Sequence, residues 1–566
     1  MPECILNVAS EEVADFIYQY TNDTYTDLYG TLQTNCIDIV NSDYVISYRP
    51  LQEVAPISLA KYGYSHIPKL YGLLDKTALT ASGITPVFDN PNIDASGKGI
   101  IIGFIDTGIN YQNSLFRKPD GSSRIIGIWD QTIQPPASEQ DPFFLYGTVY
   151  DQPQINAALA SAAPLSLVPT TDTDGHGTFM AGVAAGNLSE ADNFMGAAPD
   201  AMIAVVKLKP AKQYLRDVFL IAEDVPAFQE NDIMMGIRYL LQLSAIRRAP
   251  VVIYIGVGTN QGGHTGQSPL GLLIKSSTLS FNAIFLTGAG NETGLRHHFA
   301  ASLPPNQAYE DVEIRVAEQD RGFSTELWSK APELFTVGFV SPAGEVIEPL
   351  PNVADTETTL VFHLSNSKVT VMFMRSAIGS GNPMIHIRFE APAPGIWHIR
   401  VYPTVYFTGN FHMWLPMDRF ISPETFFLNP NPDTNITELG NSSFILTIAA
   451  YDHLKGQIYI HSSRGWSLDQ SIVPVIAAPG VKVYGPGLEN GTFTRRTGTS
   501  VAAALAAGGV ADILSHYQSG DHPVQISNAS ILAYLIRGAD NNPALIYPSR
   551  EWGYGTLNVF NSIVKG

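Results

Sequence analysis

Residues 100–108 read Ile-Ile-Ile-Gly-Phe-Ile-Asp-Thr-Gly, and this stretch decides the fold class. A continuous apolar run without polar alternation is typical of a parallel strand that is buried on both faces. Asp106 follows that run directly. Because open α/β sheets place their sites outside the carboxyl ends of their strands, we expect Asp106 to lie at the functional edge of a doubly wound parallel sheet.

Two further phrases carry residues that can act chemically with Asp106. Residues 174–178 read Asp-Gly-His-Gly-Thr around His176, and residues 498–502 read Gly-Thr-Ser-Val-Ala around Ser500. A serine hydroxyl becomes a nucleophile at neutral pH when a histidine takes its proton and a carboxylate holds that histidine. The three phrases therefore predict a catalytic triad of Asp106, His176 and Ser500.

Small residues follow both His176 and Ser500 in the sequence. Residues 180–186 and 501–509 consist mostly of Ala and Gly, which predicts helices that can approach the sheet closely. A nucleophile at a helix N-terminus also faces backbone N–H groups and the positive end of the helix dipole. Both favour the negative charge that develops during acyl transfer.

The chain order Asp, His, Ser and the neighbours of these residues resemble the subtilisin family of serine proteases. The resemblance covers about residues 60–294 and 442–566. It implies that Asn291, which ends the apolar stretch 283–291, donates to the oxyanion beside the backbone N–H of Ser500. It also implies that extended substrate pairs with the strand that begins at Val251. The residues expected to bind substrate are Gly256, Val257, Gly258, Ala289 and Gly290.

Other hydrolase classes fit the sequence poorly. Asp-Thr-Gly is also the signature of aspartic proteases, but these need two carboxylates, and no second Asp-Thr-Gly or Asp-Ser-Gly occurs in the 566 residues. The histidines show no His-Glu-x-x-His spacing and no clustered cysteines that would indicate a zinc site. We therefore expect neither a metal nor a cofactor in the reaction.

The residues upstream of the Asp106 strand exceed what a mature subtilisin needs, and they predict a small α/β prodomain at residues 1–56. Ser10, followed by two glutamates, is typical of a helix start, so we expect a helix that continues through Ile17. The resemblance implies that such a segment assists folding and binds in the active-site cleft, where it is cut, here between Arg49 and Lys61. The alternative is a segment that braces the core and is never cut.

A long stretch separates Asn291 from Ser500, far longer than a subtilisin core needs at this point. It contains short alternating strands between Gly and Pro turns, which predicts an inserted β-sandwich or jelly-roll domain. We expect Trp397 and Trp414 in its core, because large aromatic residues are mostly buried. The expected order is prodomain (1–56), first catalytic part (57–294), inserted jelly-roll domain (295–441) and second catalytic part (442–566).

The composition bounds the partners and the compartment. The net charge of −19, without a basic stripe, disfavours nucleic acid and anionic membranes as partners. The chain begins without the pattern of a signal peptide and contains no run of about 18 apolar residues, so we expect neither secretion by the usual signal nor membrane spanning. Cys4 and Cys36 are too few for a disulfide framework and are interpreted as buried thiols in a reducing compartment.

The expected absence of a signal peptide, the short prodomain and the inserted jelly roll together resemble the Csp-type germination proteases of spore-forming clostridia. This resemblance implies a cytoplasmic or spore-associated bacterial endopeptidase that activates a cortex-lytic hydrolase by removing its propeptide during germination. It also implies that the prodomain stays bound in the active-site cleft after cleavage. The alternative is a regulatory binding protein, since several members of that group have lost triad residues. Such a protein would use the jelly roll and an occluded cleft to sense or hold a partner.

Overall fold

In the computed structural model the chain forms two units, residues 1–74 and residues 75–566. The structure describes residues 13–19, 36–39, 44–55, 77–91, 93, 95–135, 144–280, 283–354, 356–377, 380–519 and 527–566.

The first unit contains a small antiparallel sheet with the strand order β1-β3-β2. The prediction of a helix that continues through Ile17 is wrong, because this segment forms strand β1. Ala14 and Phe16 lie on the same face of β1 and pack in a small core with Val54. Residues two apart share a face in a strand, because successive side chains point to opposite sides. The elements are β1 (Val13–Gln19), β2 (Ile37–Ile39), β3 (Tyr44–Pro50) and α1 (Leu51–Val54).

Cys36 also departs from the expectation, because it takes part in a disulfide bond rather than being a free thiol. Cys4 lies outside the described residues. Most of the expected cleavage region between Arg49 and Lys61 also lies outside them, since the structure describes this region only as far as Ala55. The cleavage of the prodomain therefore stays a prediction.

The second unit contains the predicted parallel sheet. Its strand order is β22-β21-β9-β8-β4-β7-β5-β6, with β23 beside β21, where β21 is Leu446–Asp452, β22 is Gln457–Ile458 and β23 is Ile476–Pro479. The central strands pair in parallel, while β6 and β22 pair antiparallel at the two ends. The elements up to residue 288 are α2 (Thr77–Ala81), α3 (Thr85–Phe88), β4 (Ile101–Asp106), a 3-10 helix (Ser114–Phe116), β5 (Ile125–Asp130), β6 (Thr148–Asp151), α4 (Gln152–Ala160), α5 (Pro164–Leu167), α6 (His176–Ala185), β7 (Met202–Lys207), α7 (Gln213–Phe219), α8 (Glu230–Arg247), β8 (Val251–Ile255), α9 (Pro269–Ser280) and β9 (Ala283–Gly288).

Residues 298–427 form two antiparallel sheets that enclose a core of their own. One sheet has the order β10-β19-β12-β17-β16-β15 and the other β14-β13-β18-β11-β20. Trp397 is buried in this core as predicted, whereas Trp414 is buried outside it, in a separate cluster with Trp328 and Ala377. The strands are β10 (His298–Ser302), β11 (Glu310–Val316), β12 (Gly322–Ser329), β13 (Leu334–Val340), β14 (Val346–Ile347), β15 (Glu357–Phe362), β16 (Ser367–Met374), β17 (Met384–Glu390), β18 (Gly395–Val405), β19 (Asn410–Trp414) and β20 (Phe426–Phe427).

The parallel sheet resumes after this pair of sheets, where β21 pairs with β9. Helices α6 and α10 pack on one face of the parallel sheet and α8 and α9 on the other, so β4 is buried on both faces. Within the described ranges, none of the helices combines the length and apolar character needed to cross a membrane. The remaining elements are a 3-10 helix (Glu438–Asn441), β21 (Leu446–Asp452), β22 (Gln457–Ile458), β23 (Ile476–Pro479), β24 (Val483–Pro486), β25 (Phe493–Arg496), α10 (Thr499–Gln518), α11 (Asn528–Gly538) and α12 (Val559–Val564).

Candidate active site

Asp106 and His176 form a direct pair at the carboxyl edge of the parallel sheet. Asp106 is the last residue of β4 and is fully buried, and His176 is the first residue of α6. Nδ1 of His176 lies 2.8 Å from Oδ1 and 2.9 Å from Oδ2 of the aspartate. An aspartate in this position holds the imidazole with its proton on Nδ1, which leaves Nε2 free to accept a proton.

The charge of Asp106 changes the basicity of His176. Burial by itself would lower the pKa of His176, but the charge and the hydrogen bond of Asp106 outweigh burial, so the pKa lies above its ordinary value. Arg496 opposes this rise and Asp174 adds to it. The imidazolium that forms when the histidine takes a proton is therefore stabilised by its carboxylate.

A second buried carboxylate, that of Asp172, holds the loop of Asp106 against the helix of His176. Its Oδ1 accepts a hydrogen bond from the Thr107 hydroxyl at 3.0 Å, and its Oδ2 accepts from the backbone N–H of Thr178 at 2.9 Å. Asp172 is not among the site residues predicted from the sequence. One feature of the sequence could have pointed to this residue. Asp172 lies six positions before Thr178, near the start of a predicted helix, where a carboxylate is favoured.

Ser500 is the second residue of α10 and is half-buried. Tyr254 on β8 is an additional buried group near these residues, which sequence analysis did not single out. Burial raises the pKa of Tyr254 well above its ordinary value, the charge of Asp106 raises it further, and the Ser500 side chain opposes the rise. Both Asp106 and Ser500 thus act on one phenol group, while the proton transfer between Ser500 and His176 stays a prediction.

Asn291 follows β9 and lies against the start of α10. Its Oδ1 accepts a hydrogen bond from the backbone N–H of Thr499 at 3.1 Å, and the backbone N–H of Gly290 donates to the Thr499 hydroxyl at 3.1 Å. Because a backbone N–H can only donate, the oxygen end of the Asn291 amide must face Thr499. The amide nitrogen of Asn291 is left to donate elsewhere, as an oxyanion-hole group requires.

The residues expected to bind substrate lie on the two loops that follow β8 and β9. A Cβ atom on Gly256 would lie 1.9 Å from Oδ2 of Asp106, so this glycine makes room for the aspartate. Ala289 is fully buried, and its backbone N–H and C=O are bonded to Ile448 and Thr437. Its backbone groups therefore stabilise the loop, and contact of any of these residues with substrate stays a prediction.

Thr437 lies between the two loops, a position that sequence analysis did not identify. A Cβ on Gly258 would lie 3.0 Å from Oγ1 of Thr437, and a Cβ on Gly290 would lie 2.8 Å from its Cγ2. Gly290 also has a φ of +102°, which favours glycine. Among the described residues, no group of three or more His, Cys, Asp or Glu side chains could hold a metal ion.

Comparison with known proteins shows the family and the fold to which this chain is similar. The model of the subtilase family matches residues 97–348 and 407–555. A solved structure titled "Structure of the Clostridium Perfringens CspB protease" superimposes with a TM-score of 0.76 at 26% sequence identity, covering 86% of this chain and 97% of that chain. The predicted α/β subtilisin-like fold and the resemblance to a Csp-type protease are thereby confirmed.

Two curated plant proteins match shorter parts of the chain. The subtilisin-like protease SBT2.2 of Arabidopsis thaliana is 26% identical over 280 residues, covering 45% of this chain and 30% of the relative. Subtilisin-like protease SBT2.3 of the same plant is 29% identical over 158 residues, covering 24% and 19%. The chain thus spans less than a third of the length of these relatives. Since the family model matches well over half of the chain, the protein belongs to the subtilase family of subtilisin-like serine peptidases.

Proposed function

We propose that this protein is a serine endopeptidase whose triad is Asp106, His176 and Ser500. The observation that carries the proposal is the 2.8 Å contact between His176 Nδ1 and Asp106 Oδ1 on the sheet edge beside the helix that begins at Thr499. In this reaction Ser500 Oγ attacks the peptide carbonyl carbon while Nε2 of His176 takes the hydroxyl proton. Asp106 stabilises the imidazolium.

The remaining steps use the same groups. The negative charge on the carbonyl oxygen is stabilised by Nδ2 of Asn291 and the backbone N–H of Ser500. Collapse of the tetrahedral intermediate breaks the C–N bond, and the leaving amine takes its proton from Nε2 of His176. Water then attacks the acyl-enzyme in the same way, with His176 as the base, and releases the free enzyme.

The substrate is proposed to be a protein whose extended segment lies along Gly256, Val257 and Gly258. Main-chain hydrogen bonding along such a segment gives affinity for peptides of varied sequence. From the resemblance to Csp-type germination proteases, to which the likeness to the Clostridium perfringens CspB protease adds, we propose a pro-form hydrolase of the spore cortex as the substrate and a cytoplasmic or spore-associated location. The same resemblance also supports a prodomain, residues 1–56, that binds in the active-site cleft before and after its own cleavage.

The test is a Ser500→Ala variant, with Ser276→Ala as the matched control because Ser276 is exposed on α9. We expect Ser500→Ala to abolish peptidase activity, labelling by a fluorophosphonate and any self-processing seen by N-terminal sequencing, while the control keeps all three. Peptidase activity that persists in purified Ser500→Ala protein would contradict the proposal.

The regulatory binding protein remains the alternative outcome of this experiment. A protein of that kind would leave Ser500 unlabelled in the wild type, both as purified and after limited proteolysis removes the N-terminal unit. Labelling only after limited proteolysis would instead support an endopeptidase whose cleft is blocked by its prodomain.

A further inference from the structure

Glu292, the residue after Asn291, is buried and has three hydrogen-bond donors on its carboxylate. Oε2 accepts from Nδ2 of Asn260 at 2.9 Å and from Nδ1 of His297 at 2.8 Å, and Oε1 accepts from the backbone N–H of Asp418 at 3.1 Å. Only 2% of the Glu292 surface is exposed. Hydrogen bonds of this number offset the cost of burying so polar a side chain.

The three donors come from three separate parts of the chain. Asn260 lies in the loop after β8, His297 directly precedes the first strand of the inserted sheets, and Asp418 follows β19 of those sheets. The link is reinforced by the backbone N–H of Leu415, which donates to the His297 carbonyl at 2.9 Å. The Glu292 carboxylate therefore joins the residue that leads into the inserted domain, and the connection between β19 and β20 of that domain, to the carboxyl edge of the parallel sheet.

The backbone around Glu292 belongs to the same loop as the oxyanion-hole amide. The backbone N–H of Glu292 donates to the Ser463 hydroxyl at 3.0 Å, and the backbone N–H of Ser463 donates to the Gly290 carbonyl at 2.9 Å. Thr499 holds the side chain of Asn291 from the other side. An oxyanion donor must be held to within about 0.5 Å of its productive place. A change at Glu292 would be transmitted to Asn291 through a single peptide unit.

We propose that Glu292 is a positioning residue that fixes the oxyanion-hole amide of Asn291 to the inserted β domain. This inference rests on the proposed peptidase function and adds a role for the inserted domain in the reaction. Glu292 touches neither the nucleophile nor the base, so its effect falls on transition-state stabilisation. Proton transfer by His176 does not depend on it.

The test compares Glu292→Gln with Glu333→Gln in the full-length protein. Glu333 is a matched control, because it is equally buried in the inserted domain and accepts from the backbone N–H groups of Phe407 and Thr408 and from the Thr408 hydroxyl. Both substitutions place an amide NH₂ against donors and should lower the melting temperature. Only Glu292→Gln is expected to lower kcat, by about tenfold or more, with KM changed less than about twofold. Complete loss of an oxyanion donor costs about 10²–10³ in kcat, which sets the upper limit.

A second readout separates positioning from general destabilisation. A peptide aldehyde with the sequence of a cleaved substrate forms a tetrahedral adduct whose oxygen occupies the oxyanion hole. Its inhibition constant should rise in step with the loss of kcat/KM in Glu292→Gln and stay unchanged in Glu333→Gln. Asn260→Ala should give a smaller loss, and the double variant should be no worse than Glu292→Gln, because both residues act through one contact.

Failure of this inference is distinguishable from failure of the peptidase proposal. Glu292→Gln protein that melts earlier but keeps the kcat and the aldehyde affinity of the wild type would overturn the positioning role. If Ser500→Ala is inactive in the same assay, the peptidase proposal stands. If Ser500→Ala remains active, the peptidase proposal itself is overturned.

Discussion

Asp106 imposes constraints on the residues around it. Its carboxylate receives the imidazole of His176 and the backbone N–H of Thr107, which donates to Oδ1 at 2.7 Å. The third neighbour, Gly256, has no side chain, and any other residue there would place a carbon atom against Oδ2. Full burial makes each of these contacts strong, because water does not compete for the carboxylate.

At the residue scale we expect Asp106→Asn to lower kcat by about 10⁴, because an amide can hold the imidazole in the wrong tautomer. The pH profile should also change. A general base works only when it is deprotonated, so activity is lost as pH falls through the raised pKa of His176. Without the aspartate charge that pKa falls, and the acid limb of kcat/KM should move to lower pH. An acid limb that stays in place or moves to higher pH would contradict this assignment.

Two helix starts place the proposed triad residues His176 and Ser500 at one edge of the sheet. His176 begins α6 and Ser500 lies one residue inside α10. Residues 502–504, which follow Ser500, are fully buried alanines, so α10 packs closely on the sheet. At the start of α6, Asp172 bonds both to the helix and to the loop after β4. Asp172 thus helps to fix the relative position of strand and helix, together with the Asp106–His176 pair.

At the element scale we expect Asp172→Asn to lower both stability and kcat. The amide nitrogen would face a donor, and leaving a buried donor unpaired costs about 1–3 kcal/mol. Thermal unfolding and steady-state kinetics would measure the two effects. Asp120→Asn is the control, because Asp120 is an exposed acid in a turn whose carboxylate accepts from nearby Ser122. Equal behaviour of the two variants would argue against the role of Asp172.

Across the whole molecule, the inserted domain packs on the catalytic part through stacked aromatic rings. The ring of His264, from the loop after β8, lies 3.8 Å from the ring of Trp414, and His298 and His412 stack on the same tryptophan. Nε2 of His298 and Nδ1 of His412 share a hydrogen bond of 3.0 Å. Burial lowers the pKa of His264 to about 4. Burial and the charge of His264 together lower the pKa of His412 to about 4. These rings are therefore neutral at neutral pH.

At this scale we expect the stack to make stability depend on pH. The unfolded chain binds protons at these histidines below about pH 6.5, whereas the folded chain does not until about pH 4. As far as it depends on His412, the free energy of unfolding is therefore greatest above pH 6.5. It decreases by about 3 kcal/mol as pH falls toward 4.

His412→Gln removes this titration, so the stability difference between wild type and variant should shrink or reverse between pH 6.5 and 4. Chemical denaturation at several pH values would measure the difference. Parallel stability curves for the two proteins would contradict the expectation. Comparing wild type with variant also cancels the opposite effect of Glu438, whose pKa burial raises to about 8.

Local sequence was sufficient to predict the parallel sheet and most of the candidate site. The apolar run before Asp106, the glycines around His176 and the small residues after Ser500 each identify an element within a few neighbouring positions. Local patterns failed at Val13–Gln19, where the helix expected to begin at Ser10 was predicted to continue, because pairing with Tyr44–Pro50 decides the strand.

The sequence by itself determined the fold class and the order and identity of the candidate triad, because each follows from short motifs and their surroundings. Only the tertiary structure decided which groups hold these residues in place. Asp418 donates to Glu292 across 126 positions, and Thr499 donates to Asn291 across 208. Such partners cannot be recognised from local patterns, since a buried carboxylate or amide takes its donors from whichever segments the folded chain brings beside it.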